Sequence, residues 1–218
     1  GTASTMQIMA EALGLALPGS ALMPAESPDL LAVAERAGEQ AVKLAYMPDM
    51  RPSKLLTKES FENAILVHAA ISGSTNCLLH LPALAHELGI EINGDTFDSL
   101  HRNARYLLDI RPTGKWPAEC FYYAGGVPAI MEELRPYLHL DVMTVTGKTL
   151  GENLDDLKEN GFYERCGKWL ADFNTRRNLS LKKEDILRPY EKALGTDGSI
   201  AILKGNLAPE GAVIKHTA

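Results

Sequence analysis

The sequence predicts a helix-rich α/β fold, and three observations carry that reading. Apolar residues recur at helical spacing in successive segments from Thr5 to Leu134, and Ser, Thr, Asp and Pro stand where helix starts need them. Short β-like runs appear late in the chain, two of them at its end around a Gly-Asn-Pro-Gly turn region. With 218 residues, 45% hydrophobic and 23% charged, the chain has the apolar content for a sizeable core.

Met6, Met9, Ala10, Leu13 and Leu17 lie near helical spacing, which predicts a short buried helix over Thr5–Leu15, capped by Ser4 or Thr5 and stopped near Gly14. Residues 17–27, rich in Pro, Ser and Gly, read as a loop. Ser27-Pro28-Asp29 then supplies a cap, a proline for the first helical position and an acid that suits the helix dipole. Leu30, Leu31, Ala34, Ala37, Ala41, Val42 and Leu44 continue as a helical stripe to Ala45. After a connection over Met47–Ser53, Thr57 caps a helix from Lys58 to Ala70 with Phe61, Ala64, Ile65, His68 and Ala69 on one face.

Ser72-Gly73-Ser74-Thr75-Asn76 ends that helix, and the periodicity resumes from Cys77 to Leu88, so a small polar loop joins two helices. Pro82 should kink the second of them or remove a backbone bond. Asp95 or Thr96 caps a short helix to Asn103, and Tyr106–Ile110 reads as a strand. Arg111–Tyr123, rich in Pro, Gly and aromatic residues, reads as a long ordered loop. Gly125-Gly126 precedes a helix over Val127–Leu134, and Asp141–Val145 reads as a second strand. Thr149-Leu150-Gly151-Glu152 is a capping box. Residues 160–194 are polar surface helix and turns, where Arg176, Arg177, Lys182 and Lys183 form a solvated face. Ser199–Lys204 and Ala212–Lys215 predict a hairpin that starts a separate β unit.

The charge balance, 28 acidic against 22 basic residues for a net −6, is dispersed and argues against a nucleic-acid partner. No stretch approaches the ~20 apolar residues of a membrane helix, and the start lacks the basic-then-apolar pattern of a secretory signal. The expectation is therefore a cytoplasmic protein with no membrane partner. Cys77, Cys120 and Cys166 are too widely spaced for a disulfide framework or a metal knuckle and are expected to be free thiols. The chain begins at Gly1 without Met and runs at once into a helical pattern, as part of a longer protein would.

Two hydroxyl-rich helix starts stand out. Ser72–Asn76 offers hydroxyls and an amide at a helix N-terminus, where unsatisfied N–H groups and the helix dipole favour a carboxylate or phosphate. The same residues are common caps, and that reading stays open beside the functional one. Thr2-Ala3-Ser4-Thr5 poses the same choice. No P-loop pattern and no His-Glu-x-x-His are present. The six histidines read as scattered surface or capping residues. Cys77 reads as a small core residue, with a helix N-terminus as the one feature that could lower its thiol pKa. The aromatics of Lys115-Trp116-Pro117 and Phe121-Tyr122-Tyr123 read as loop packing.

Several ordered blocks resemble one known family. Gly1-Thr2-Ala3-Ser4-Thr5-Met6, then Glu11-Ala12-Leu13-Gly14-Leu15 and Leu17-Pro18-Gly19, are similar to the segment after a cluster-binding cysteine in the dihydroxyacid and phosphogluconate dehydratases. Phe61-Glu62-Asn63-Ala64, Ser72-Gly73-Ser74-Thr75-Asn76 with Leu79-His80-Leu81, Ala124-Gly125-Gly126-Val127, and Asp197-Gly198 with Ala201-Ile202-Leu203-Lys204-Gly205-Asn206 resemble further blocks of that family. Gly1–Pro24, Lys115–Gly126 and Leu138–Leu150 look most like its sugar-acid branch, which acts on substrates such as xylonate.

The resemblance implies a hydro-lyase that converts a small 2,3-dihydroxy acid to a 2-keto acid, with an iron–sulfur cluster and Mg²⁺ as cofactors and a homodimer or homotetramer as assembly. It also implies that residues 1–194 are the helix-rich C-terminal part of the family's N-terminal α/β domain, and that residues 195–218 begin its β-barrel-like C-terminal domain. The family's cluster cysteines, its CDKxxPG block and the serine of its DGRFSGG block have no counterpart here, so no metal ligand and no catalytic base is assigned within the chain. This part alone is expected to be inactive. Thr2, Ser4, Ser74, Thr75 and Asn76 are the candidate substrate-binding residues that the resemblance favours. The readings kept beside it are a stand-alone protein that binds an anionic metabolite, and the branched-chain dihydroxyacid dehydratase.

Overall fold

The computed structural model describes residues 1–217. Helix α1 spans Thr2–Ala12 and buries Ile8, Met9 and Ala12, so the first segment is helical as expected but begins earlier. Its N-cap position is Gly1, and Ser4 and Thr5 lie inside the first turns instead of capping them. The segment after it is turn and loop, held by Glu11, whose buried carboxylate accepts the N–H groups of Gly19 at 2.7 Å and Ala21 at 2.8 Å.

Helix α2, Asp29–Ala45, forms as predicted, and Ser27 Oγ accepts the Asp29 N–H at 3.3 Å. Its apolar stripe does not pack on the described chain: none of its residues is buried, and Leu31 is 79% exposed. A bond from Gln40 Nε2 to the Val145 carbonyl, 2.6 Å, ties it to the body across a cleft of about 720 Å³. A 3₁₀ turn at Pro48–Met50 and the short α3, Pro52–Leu55, occupy the connection that follows.

Helix α4, Lys58–Ala70, is the centre of the core. Thr57 and Ser60 form its capping box. Phe61, Ala64, Ile65, Val67, Ala69 and Ala70 are all fully buried, and a helix apolar on most of its circumference must sit inside the protein. Around it pack α1, α5 (Cys77–Glu87), α6 (Gly94–Arg102) and α8 (Gly126–Glu133). Buried Asn63 keeps its amide satisfied by pairing with the His139 backbone, donating to the carbonyl at 2.9 Å and accepting the N–H at 2.8 Å. Glu62 beside it meets the His139 imidazole at 2.9 Å, so the Phe61–Ala64 block anchors the 139 segment.

Helix α5 continues through Pro82 without interruption. Helix α6 starts two to three residues earlier than predicted, because Asn93 and Thr96 form a capping box and Asp95 lies inside the first turn. Tyr106–Ile110 is not a strand. Tyr106, Leu108 and Ile110 each make an isolated bridge, to Gly195, Leu187 and Trp116, three separate segments that give no continuous ladder. The expected loop over Arg111–Tyr123 ends in helix α7, Ala118–Tyr123, whose Phe121, Tyr122 and Tyr123 are buried, so the aromatics are packing as predicted.

Asp141–Val145 is likewise no strand. It carries one bridge, Met143 to Thr149, and closes through Thr144 Oγ1, which donates to the Lys148 carbonyl at 2.8 Å and accepts from Asn153 Nδ2 at 2.7 Å. The Thr149–Glu152 capping box opens α9, Leu150–Glu159, as expected. Helix α10, Phe162–Arg177, buries Phe162, Cys166, Leu170 and Phe173 and leaves its basic end exposed, and the short α11 covers Lys183–Ile186. The predicted hairpin is present as β1, Ile200–Gly205, and β2, Ala208–Lys215, antiparallel with Ile200 opposite Lys215. The architecture is thus a helical body with a two-stranded sheet at the C-terminal end, in line with the expected fold class. Among the described residues no helix is long and apolar enough to cross a membrane.

Candidate functional site

The two hydroxyl-rich helix starts meet. Helix α4 ends at Ala70, the chain turns through Ser72 in the left-handed region at φ 52°, and α5 begins at Cys77, which sets Ser74–Asn76 against the first turn of α1. Thr2 Oγ1 lies 3.1 Å from Ser74 Oγ and accepts from Asn76 Nδ2 at 2.6 Å, while Thr5 Oγ1 accepts the Ser74 N–H at 3.2 Å. The Asn76 side chain makes no cap bond to its own helix. The local capping reading therefore fails for Asn76, whose amide reaches across to α1 instead.

A pocket of about 200 Å³ opens beside this junction, and Thr2, Ser4, Ser74 and Thr75 line it together with Arg111 and Lys215. Asn76 is outside the lining and acts on it through Thr2. Ser4 is half-buried in the wall and Thr75 is exposed. Two helix N-termini and two cationic side chains facing one small space favour an anion. Lys215 Nζ donates to the Ser72 carbonyl at 2.8 Å, and burial pulls its ammonium pKa below the ordinary lysine value. Ser72 Oγ meets Thr217 Oγ1 at 2.8 Å and Thr113 Oγ1 at 3.3 Å, so the turn is also held from its far side.

Sequence reasoning did not find Lys215 or Arg111. The β-like run at 212–215 marked Lys215 as a strand residue, but no pattern tells which sheet neighbour or pocket a terminal strand residue faces. The larger cleft under α2 has charges of both signs, including the Lys148–Asp156 pair, and no hydroxyl cluster at a helix start, so the smaller pocket is the better chemical candidate.

The histidine and cysteine expectations separate. His68 and His101 are not scattered surface residues: both are fully buried and face each other, with His68 Nδ1 at 3.1 Å from His101 Nε2. Burial pushes their pKa values down, to about 4 for His68 and about 3 for His101, where the neighbouring imidazole adds to the effect. All three cysteines are free and buried. Burial pushes the Cys77 and Cys166 thiols up to about 12 and Cys120 to about 11, so the α5 N-terminus does not make Cys77 a thiolate. Among the described residues no group of three or more His, Cys, Asp or Glu side chains could hold a metal ion. The iron–sulfur cluster and Mg²⁺ that the resemblance implies thus find no donor set here.

Residues 1–153 match the family model described as dihydroxy-acid/6-phosphogluconate dehydratase N-terminal, and residues 185–218 match the corresponding C-terminal model. Dihydroxy-acid dehydratase 1 of Methanosarcina acetivorans is 43% identical over 217 residues, which cover 100% of this chain and 36% of that protein. The dihydroxy-acid dehydratase of Caldicellulosiruptor saccharolyticus is 40% identical over 219 residues, 100% of this chain and 36% of its own length. The dihydroxy-acid dehydratase of Acetivibrio thermocellus is 37% identical over 219 residues, 100% of this chain and 35% of its own length. The chain therefore spans about a third of the relatives it matches.

Proposed function

Because the chain belongs to the dihydroxy-acid/6-phosphogluconate dehydratase family, we propose that it forms one wall of the substrate pocket of a hydro-lyase that converts a small 2,3-dihydroxy acid to a 2-keto acid. The observation that carries this reading is the convergence of Thr2, Ser4, Ser74 and Thr75 with Lys215 in one pocket between two helix starts. In this reading the α1 and α5 N-termini and the Lys215 ammonium receive the substrate carboxylate, and the Thr2, Ser4 and Thr75 hydroxyls orient its diol. Ser74 and Asn76 keep the wall in register through Thr2.

Dehydration needs more than this wall. Hydroxide is a poor leaving group and the C2–H is weakly acidic, so charge must be stabilised at both carbons. The iron–sulfur cluster and Mg²⁺ implied by the family would supply that stabilisation, with ligands from outside these residues. We assign no ligand and no base within the chain. The change from helix to hairpin supports a domain boundary near Gly195.

For the substrate, the names of the relatives support a branched-chain 2,3-dihydroxy acid ahead of xylonate. A binding protein without chemistry is the remaining reading. The test is to supply the full-length protein carrying this chain, reconstituted with iron, sulfide and Mg²⁺, with either acid and to follow 2-keto acid formation. Turnover of the branched-chain acid with a KM raised in Thr75→Val supports the reading. Binding of either acid with no keto product refutes the enzyme reading, and faster turnover of xylonate refutes the substrate order.

A further inference from the structure

Gly73 and Gly198 each approach an imidazole closely. A Cβ on Gly73 would come within 2.2 Å of His68 Cδ2, and a Cβ on Gly198 within 2.5 Å of His101 Nδ1. Both rings are thus wedged between backbone segments at positions where only glycine leaves room. The hydrogen bonds around them run in one direction. The Ile200 N–H donates to His101 Nδ1 at 3.2 Å, which makes that nitrogen an acceptor and places the His101 proton on Nε2. His101 Nε2–H then donates to His68 Nδ1 at 3.1 Å, and His68 Nε2–H donates to the Ser74 carbonyl at 2.9 Å. Each step fixes the tautomer of the next, and a proton added to either ring would break the chain.

The hairpin end that starts this chain also grips the turn directly. Ile200 is the ladder partner of Lys215, and Lys215 Nζ holds the Ser72 carbonyl at 2.8 Å. The titratable groups near the two rings are Asp98, Lys215 and His216, beside the rings themselves.

We propose that His68 and His101 are positioning residues, a one-way imidazole relay that transmits the register of the hairpin to the Ser74 carbonyl and so sets the Ser72–Asn76 turn for its ligand. Together with Lys215 the relay clamps the turn at two carbonyls, Ser72 and Ser74, from one end of one hairpin. Neither ring lines the pocket, so the relay acts through Ser74, whose hydroxyl meets Thr2. That the ligand is a 2,3-dihydroxy acid rests on the preceding reading; the relay itself does not.

The experiment uses the full-length protein with ¹⁵N-labelled histidine. At neutral pH both rings are expected as the neutral Nε2–H tautomer in imidazole ¹⁵N correlation spectra, and an Nδ1–H or charged form of either ring overturns the relay. His68→Leu keeps the burial and loses both bonds, while His68→Gln keeps a donor for Ser74 and an acceptor for His101. His68→Leu is expected to shift the backbone amide signals of Ser74, Thr75 and Asn76 and to raise KM about tenfold, the effect of losing roughly one hydrogen bond, with kcat changed less. His68→Gln is expected to return KM to within about threefold of wild type. Unmoved amide signals in folded His68→Leu, or equal KM changes in the two variants, refute the positioning role. If the wild type turns over neither acid, the functional reading fails and the tautomers and amide shifts still decide the relay. If His68→Leu does not fold, the wild-type tautomers decide it.

Discussion

Glu11 should make stability depend on pH in a direction unusual for a carboxylate. It is 5% exposed, and burial raises its pKa from 4.5 to about 7 although the Gly19 and Ala21 N–H groups favour the charged form. Below about 4.5 the group is protonated in both folded and unfolded chains. Between there and about 7 the unfolded chain releases its proton while the folded one retains it, so this contribution is lost as pH rises and levels off above about 7. The shift, 7 minus 4.5, corresponds to about 3 kcal/mol at 1.36 kcal/mol per unit. His68 and His101 contribute in the opposite sense. Their depressed values give stability that is present above the unfolded histidine pKa and lost as pH falls toward about 4 and about 3. A direct pH profile therefore mixes the two, and a difference experiment separates them. Urea unfolding of wild type and Glu11→Gln, followed by Trp fluorescence at matched pH, cancels the histidine part because both proteins share it. The variant's stability relative to wild type should rise by about 3 kcal/mol between pH 4 and pH 8. A difference that stays constant within about 0.5 kcal/mol would refute the burial argument for this side chain.

Thr149→Ala removes the α9 capping box and should cost about 1 kcal/mol in the same unfolding assay, with Thr149→Ser near neutral. Asn63→Ala leaves the His139 N–H and carbonyl without their side-chain partners and should cost about 2 kcal/mol, and a change below about 0.5 kcal/mol would mean that water replaces both bonds. Lys215→Met keeps the unbranched apolar stem of the side chain, one atom shorter, without its charge. It should raise KM for the dihydroxy acid about tenfold, and an unchanged KM would remove the ammonium from the anion site.

Helix starts were the most legible feature of the sequence because capping is local. Thr57 and Thr149 each find their partner within three residues, and both boxes are present. Strands were less legible for the opposite reason. Tyr106, Leu107 and Leu108 are buried in succession, and a strand also needs one continuous partner, whereas Tyr106, Leu108 and Ile110 bridge to three separate segments, at Gly195, Leu187 and Trp116. The stripe on α2 was read correctly as helical, but periodicity cannot say whether anything within these residues covers it. In the site, the hydroxyl-rich starts at Thr2 and Ser74 were legible singly. That they touch, 72 residues apart, was not, and neither was the approach of Lys215 or the meeting of His68 with His101.

What joins these distant pieces is α4. Its buried circumference fixes the helix in the core, its Asn63 end holds the 139 segment, and its C-terminal end delivers His68 and the Ser72–Asn76 turn together. The pocket wall is thus one step from the core on the α4 side and, on the other, one step from the hairpin through Lys215 and two imidazoles from it through Ile200. A wall built this way is held by bonds across elements as well as by the local bond from the Asn76 N–H to Ser74 Oγ at 3.3 Å. The Asn76 amide bridges the turn to α1, the Thr5 hydroxyl accepts the Ser74 N–H as well as donating to the Gly1 carbonyl, and the turn carbonyls are held by Lys215 from the hairpin and His68 from α4. The blocks that resemble the dehydratase family fall at these joints: Phe61–Ala64 at the 139 anchor, Ser72–Asn76 at the turn, and Asp197-Gly198 against the His101 ring. Their residue types follow from the joints they make: an amide that pairs with a backbone, hydroxyls that bridge two helix starts, and glycines that admit a ring.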